Sequence, residues 1–305
     1  MATIIPKEDY IRQKEQEKKE VLLKLQQGVK DVFESEKYRE FLKAYSKFND
    51  YSINNTILIL MQKPEADRVA SFQTWKKLGR NVNKGEKGIK VLVPIPYKYQ
   101  KRVERIDTNG VKDTEDVELN GLSFRLGNIF DISQTQGKEL PTLTTELTEN
   151  SPDIKRAIHA VELNSPVPIH YDKPVGKANG YYHLEDKYIA VRLGMSDSQT
   201  FKTLIHEVSH SMLHSIDEIK YDRKVQEVQA ESVAFLVCSK YKIDTSTYSF
   251  GYISGYSSNK DTRELKSSLD TITKCADEIT NSIDKVLGTK SLEDISNKKT
   301  KEMTR

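Results

Sequence analysis

Two pairs of residues, each spaced by four, constrain the fold of this 305-residue chain more than any other feature. His206 and His210 stand in TLIHEVSHSMLHS, a stretch that holds three of the six histidines. Glu227 and Glu231 stand in VQEVQAESVAFLV. A spacing of four sets both side chains of a pair on one face of a helix. Two imidazoles can share one cation, and a carboxylate from the next helix completes a donor set for a divalent metal. Thr203, Leu204, Ile205, Val208, Met212 and Leu213 supply the packing of the first helix.

Glu207 follows the first histidine, which places it beside the open position of such a metal. This is the H-E-x-x-H pattern of zinc peptidases. The metal lowers the pKa of a bound water to about 7, and the carboxylate takes up its proton as a carbonyl is attacked. Glu207 is thus the expected catalytic residue, and His206 and His210 the expected ligands. A third protein ligand is needed. Glu227 is taken for it, with Glu231 as the alternative; the other acid then orients a ligating histidine. His214 competes for the role, but a straight helix rising 1.5 Å per residue carries it about 12 Å beyond His206. That leaves it to packing or to facing a substrate. A purely structural metal has no use for an acid at its side, which favours catalysis. The expected cofactor is Zn2+, with another divalent metal as the variant.

At this length two domains are expected. Two cysteines, Cys238 and Cys275, make no disulfide framework and fit a reducing compartment. The charged start lacks the apolar segment of a secretory signal, and no run approaches the roughly 20 apolar residues that span a bilayer. The expectation is a cytoplasmic protein with no membrane partner.

The net charge of +3 conceals a local excess: residues 76 to 105 carry ten Lys or Arg against two acids, Glu86 and Glu104. Phe72 and Trp75, the single tryptophan, adjoin this run. Cations that track phosphates, next to aromatic faces on which bases stack, suit sequence-tolerant binding of a single strand. The same three-residue step also suits core packing, and a charge run is often only a solvated face.

Apolar steps of three and four predict helices from Glu8 to about Tyr51, and again in YSINNTILILMQKPEA, which Pro64 ends. SFQTWKKLGR reads as a short amphipathic piece. GIKVLVPIPYKY and LSFRLGNIFDIS read as partner strands around a polar tip or loop at 100–122. SQTQGKELPTLTTELTENSPD reads as a linker. The second half predicts a helix near Ile154 to Leu163, a strand in PVPIHYD and a hairpin in GYYHLEDKYIAVRL. Helices at about 197–216 and 223–240 follow, then a long one from Asp261 to Leu287. The charged end, 291–305, reads as disordered. Tyr248, Phe250, Tyr252 and Tyr256 read as core or cleft wall.

YSINNTILILMQKPEADRVASFQTWKKLGRNVNKGEKGIKVLVPI, with the later IFDISQTQGKELP, resembles the N-terminal domain of ArdC-type antirestriction proteins and the related LtrC-like proteins of conjugative elements. NGYYHLEDKYIAV, TLIHEVSHSMLH and EVQAESVAFLVC resemble their metallopeptidase-like domain, itself similar to the ImmA/IrrE group. The likeness extends over roughly residues 20 to 290. It implies a single-stranded-DNA-binding domain joined to a zinc metallopeptidase-like domain, in a protein that protects incoming plasmid DNA from host restriction. It carries the metal histidines onto His206 and His210 and the acid onto Glu207, and keeps both Glu227 and Glu231. For DNA it supports Trp75, Lys76, Lys77, Arg80, Lys84 and Lys87 as a region.

The expected architecture is α+β. An N-terminal domain at 1–135, with a charged helical lead-in at 1–20, sets helices on a small antiparallel sheet. A linker at 136–152 leads to a zincin-like domain at 153–290. There Tyr188 to Leu193 is expected as an edge strand above the metal helix, holding an extended chain by backbone pairing. Tyr181 or Tyr182 is a candidate to stabilise an oxyanion, with packing as the plainer role. Two functions follow: a single-stranded-DNA-binding antirestriction protein, or a regulatory zinc protease that cleaves a repressor or restriction subunit and docks through its first half. A zinc-stabilised interaction module without catalysis is the third.

Overall fold

The structure, a computed structural model, describes residues 7–48, 50–106, 112–140, 146–172, 178–214, 223–248, 250, 253 and 260–288. The tail at 291–305, Tyr252, Tyr256 and part of the linker lie outside the described residues. The fold is α+β. The first helical stretch is two helices, α1 (Lys7–Val32) and α2 (Ser35–Lys47), followed by α3 (Ile53–Gln62). Ser52 caps α3 by accepting the Asn55 N–H, and the restriction that Pro64 imposes on Lys63 ends it.

Four short elements, three of them strands too brief to give an alternating pattern, frame the basic run. These are β1 (Val69–Ser71), α4 (Phe72–Lys77), β2 (Arg80–Val82) and, further on, β5 (Thr135–Gly137). Between them β3 (Ile89–Ile106) and β4 (Lys112–Asp131) form one long antiparallel hairpin, in register from Ile89 opposite Ile129 to Ile106 opposite Lys112. The sheet order is β1-β4-β3, with β2 and β5 as a separate pair. The expected loop at 100–122 is therefore mostly strand. Its mixed charges are cross-strand pairs, Lys98 with Glu118 at 2.7 Å and Arg102 with Asp116 at 3.1 Å, which support pairing without an apolar pattern. The tip, 107–111, lies outside the described residues.

The outer edge of β3 is closed by two amide side chains of α3. Asn55 donates to the Leu92 carbonyl at 3.0 Å and accepts its N–H at 2.8 Å; Gln62 does the same for Lys90 at 3.0 and 2.9 Å. A side-chain amide has the donor and acceptor of a peptide group, so α3 takes the place of a neighbouring strand. At the end of β4, Asp131 accepts from the N–H groups of Asp67, Arg68 and Ser133 at 2.8, 3.1 and 2.9 Å, tying β1's approach to β4.

The second half holds α5 (Pro152–Asn164), β6 (Ile169–Asp172), β7 (Gly180–His183), β8 (Tyr188–Arg192), α6 (Asp197–Leu213), α7 (Arg223–Lys240) and α8 (Thr262–Leu287). Ser151, Ser196 and Asp261 cap α5, α6 and α8. Its sheet runs β6-β8-β7, parallel on one side and antiparallel on the other. The expectation that Tyr188 to Leu193 is an edge strand is corrected: β8 is central, with Ile189, Ala190 and Val191 buried. Three consecutive buried residues mark a strand covered on both faces and flanked on both sides. Among the described residues, the unpaired edge beside α6 belongs to β7.

One apolar core joins both halves. Leu25, Tyr38, Phe41 and Leu42 of α1 and α2 lie in the same buried cluster as Val233, Phe235, Leu269 and Ile272 of α7 and α8. The Tyr38 hydroxyl meets the Ser232 hydroxyl at 2.9 Å inside it. Cys238 and Cys275 are free and buried, and burial pushes both thiols up to about 12.

Two outcomes are expected. Asp131→Ala leaves three N–H groups without their charged acceptor and should cost about 3 kcal/mol in denaturant melts. Burial opposes ionisation of Asp131, but the donors around it outweigh that and lower its pKa. Its contribution is therefore present above about pH 4 and lost as the pH falls through the lower folded value. Second, a fragment ending near residue 150 uncovers Tyr38, Phe41 and Leu42. It should bind a hydrophobic dye strongly and lack the near-ultraviolet dichroism of the whole chain.

Candidate metal centre

Helix α6 presents His206 and His210 on the face that α7 packs against. Their Nε2 atoms lie 3.1 Å apart, and a Glu227 carboxylate oxygen lies 3.5 Å from one and 3.6 Å from the other. Among the described residues this is the cluster whose donor atoms could hold a metal ion. A tetrahedral ion with bonds of about 2.1 Å separates its ligand atoms by about 3.4 Å. The three observed separations, 3.1, 3.5 and 3.6 Å, bracket that value.

Glu231, one turn further along α7, lines the neighbouring cavity and is not in this cluster. Four residues move the Glu231 carboxylate about 6 Å along the axis of α7 from that of Glu227. That cavity, about 280 Å³, is walled also by Gly180, Lys202, His206, Glu207 and Tyr248.

Glu207 is 7% exposed, whereas the Glu227 side chain is 49% exposed. Burial raises the pKa of Glu207 from its ordinary value, although the neighbouring imidazoles and the Tyr182 N–H pull the other way. Glu227 is held far below its ordinary value by the imidazoles of His206 and His210, whose Nε2 atoms lie 3.5 and 3.6 Å from its carboxylate. Burial opposes charging of His206, but the Glu227 hydrogen bond and the charges of Glu207, Glu227 and Glu231 raise its pKa. The surroundings thus shift two carboxylates on adjacent helices in opposite directions, Glu207 up and Glu227 down.

His214 is neither simple packing nor exposed to a substrate. It caps α6 and is 5% exposed. Its Nδ1 lies 3.0 Å from Nδ1 of His210, and its Nε2 lies 3.0 Å from Oε1 of Gln229. Burial lowers its pKa to about 4. The chain had shown the spacing of His214, but its partner Gln229 reads as an ordinary polar residue of α7.

Strand β7 crosses α6 at Gly180. A Cβ there would lie 2.6 Å from Thr203 Cγ2 and 3.2 Å from Glu207 Cγ, so only glycine allows this approach. The Arg192 N–H donates to the Asn179 carbonyl at 2.8 Å. Antiparallel alternation then turns the N–H and C=O groups of Gly180 and Tyr182 away from β8, toward the site. The Tyr182 N–H serves Glu207. The Tyr181 hydroxyl lies 3.2 Å from that of Tyr188.

The basic run is divided by the fold. Lys76, Lys77, Lys84 and Lys87 are exposed. Trp75 is fully buried against Ala70 and Leu78, and its indole N–H donates to the Phe130 carbonyl at 2.8 Å. It offers no ring to a base; Phe72, 53% exposed, is the open aromatic on this surface. Arg80 spends its guanidinium on Thr135 and on the Lys138 carbonyl, at 2.6 to 2.9 Å, and so holds β5 in place.

Residues 12–130 match the family model for the N-terminal domain of anti-restriction factor ArdC. A Bacillus anthracis protein, the uncharacterized protein pXO2-81, is 28% identical over 304 residues, covering 88% of this chain and 52% of its own length. The chain thus spans about half the length of that curated relative. Two solved structures of the antirestriction ArdC protein from the R388 plasmid share similarity over 75% of this chain and 84% of theirs. The metal-free form has a TM-score of 0.45 at 21% identity, and the Mn(II)-bound form 0.44 at 19%. Over residues 12–130, the chain is similar to the N-terminal domain of anti-restriction factor ArdC.

Proposed function

We propose that this chain is an ArdC-type antirestriction protein of a mobile element. On this reading its first half binds single-stranded DNA and its zincin-like second half, akin to the ImmA/IrrE group, holds a divalent metal. The observation that carries the second part is the triangle of His206, His210 and Glu227, already spaced for one ion. The match of residues 12–130 supports the first part. The division lies in the segment 136–152, with both sides sharing one core. No helix among the described residues is long and apolar enough to cross a membrane.

His206, His210 and Glu227 would hold the ion, Zn2+ or another divalent cation. When bound it supplies Lewis acidity to a water or substrate oxygen. Glu207, buried beside the site with a raised pKa, is the proton acceptor. The backbone groups of Gly180 and the Tyr182 carbonyl, turned away from β8, offer an extended chain an edge to pair with, in the place expected of β8. The cavity beside Glu207 and this open edge favour a second reading, a regulatory protease acting on a repressor or restriction subunit. The DNA surface is placed on Lys76, Lys77, Lys84, Lys87 and Phe72, while Trp75 and Arg80 support it from beneath.

For the metal, Glu227→Gln should weaken Zn2+ affinity at least tenfold by competition with a chromophoric chelator, and Glu231→Gln much less; the reverse order would make Glu231 the ligand. Binding should also weaken as the pH falls through the raised pKa of His206, because a proton occupies the ligand position.

For function, the intact chain should bind a labelled single-stranded oligonucleotide with affinity that falls steeply with salt. Reversing Lys84 and Lys87 to Glu should reduce the salt slope by about 0.7 for each phosphate that is no longer neutralised. An unchanged slope would move DNA off this surface. Glu207→Gln should leave metal and DNA binding intact. If antirestriction then persists in a conjugation assay, peptide hydrolysis is not its mechanism; loss of protection with the metal retained would favour the protease.

A further inference from the structure

We infer that His214 is a positioning residue that, with Gln229, fixes the tautomer of His210 and so prepares its metal-facing nitrogen. This role rests on His210 being a metal ligand, as proposed above, and concerns what makes it one.

The order of protons is set from the far end. Gln229 presents Oε1 to Nε2 of His214 at 3.0 Å, and a carbonyl oxygen only accepts. His214 therefore carries its ring proton on Nε2. Its Nδ1 is left with a bare lone pair, 3.0 Å from Nδ1 of His210. A lone pair there requires the proton of His210 to sit on Nδ1. The Nε2 of His210 is then unprotonated, with its lone pair directed at Nε2 of His206 and the carboxylate of Glu227. In a ligating histidine the hydrogen bond of one nitrogen sets what the other can do. With His210 neutral, the order of protons along Gln229, His214 and His210 leaves one arrangement.

Burial enforces it. His214 is 5% exposed and Gln229 4%, so no solvent competes for either hydrogen bond. The parts come from both helices. His214 caps α6, where its N–H donates to the His210 carbonyl at 2.9 Å and the ring folds back over the preceding turn. Gln229 lies two residues beyond Glu227 on α7. The helix that supplies the carboxylate ligand thus also supplies the acceptor that orders the imidazole ligand. One packing arrangement sets both.

The orienting partner is also neutral. A carboxylate on Nδ1 would add a negative charge next to the ion; an imidazole and an amide add none. Apart from the ion, Glu227 is then the only charged member of the set His210, His214, Gln229 and Glu227.

The test uses the whole chain with 15N-labelled histidine and no metal. The nitrogen shifts of His210 should report one tautomer, protonated on Nδ1, in the natural protein and a mixture in His214→Phe, which keeps the ring volume but has no acceptor. His214→Asn, whose Oδ1 falls near the place of Nδ1, should restore the single tautomer. Zn2+ affinity, measured against a chromophoric chelator, should fall 10- to 100-fold in His214→Phe and recover to within a few-fold in His214→Asn. A natural protein with its His210 proton on Nε2, or equal Zn2+ affinities in all three proteins, overturns the inference. If the natural protein binds no Zn2+, the metal reading fails; the tautomer measurement, made without metal, still decides the hydrogen-bond order.

Discussion

Helix α7 is enclosed on three sides, by α6, by α2 and by α8, and the rest of the molecule is arranged by how it is buried. Its residues from Val228 to Cys238 are buried with the single exception of Glu231, which is partly so. A helix packed all round has no freedom to rotate or slide without opening cavities, each of which costs kilocalories. That rigidity lets Glu227, at its less buried end, stand opposite His206 and His210 at near-ligand distance. The same packing carries Gln229 to His214 and brings Tyr38 of the first half against Ser232. Site geometry and the union of the two halves are therefore consequences of one burial.

The electrostatics of the site follow from the same arrangement. Glu207 faces inward from α6 and under β7, where desolvation raises its pKa; Glu227 faces outward toward two imidazoles, which lower its own. Neither property belongs to glutamate as such. Gly180 matters because its missing side chain lets β7 approach closely enough for the Tyr182 N–H to reach the carboxylate. The sheet edge, the buried acid and the metal face thus lie within one small volume, with polar backbone groups open on one side.

In the first half, strand edges are the problem that the fold has to manage. β3 lies at the edge of its sheet, and Asn55 and Gln62 close the edge nearest the core with amide pairs. Beyond Leu92 the hairpin continues without a third strand among the described residues, and Ile95, Tyr97, Tyr99, Leu122 and Phe124 are exposed along it. Tyr97 lies over Gly121, the residue opposite it, and so covers a position where the strand has no side chain of its own. The cross-strand ion pairs, all exposed, contribute register more than stability.

The helices, the two main strands and the HExxH spacing were legible because each is written in local periodicity or in a fixed residue interval. The pairs His206/His210 and Glu227/Glu231 follow from steps of four on two helices, and the structure gathers His206, His210 and Glu227. The charge mixture at 100–122 misled because cross-strand ion pairs have no signature along one strand. Whether Tyr188 to Leu193 lay at an edge was equally hidden, since strand order depends on partners distant in sequence. Trp75 and the lysines around it were one basic aromatic run on paper; folding buried the indole, committed Arg80 to β5 and left the lysines outside. By itself the sequence determined which helices form and which residue types a metal would find on them. Only the tertiary structure decided that Glu227 lies 3.5 to 3.6 Å from both histidines and that His214 turns back onto His210, because both depend on how two buried helices pack.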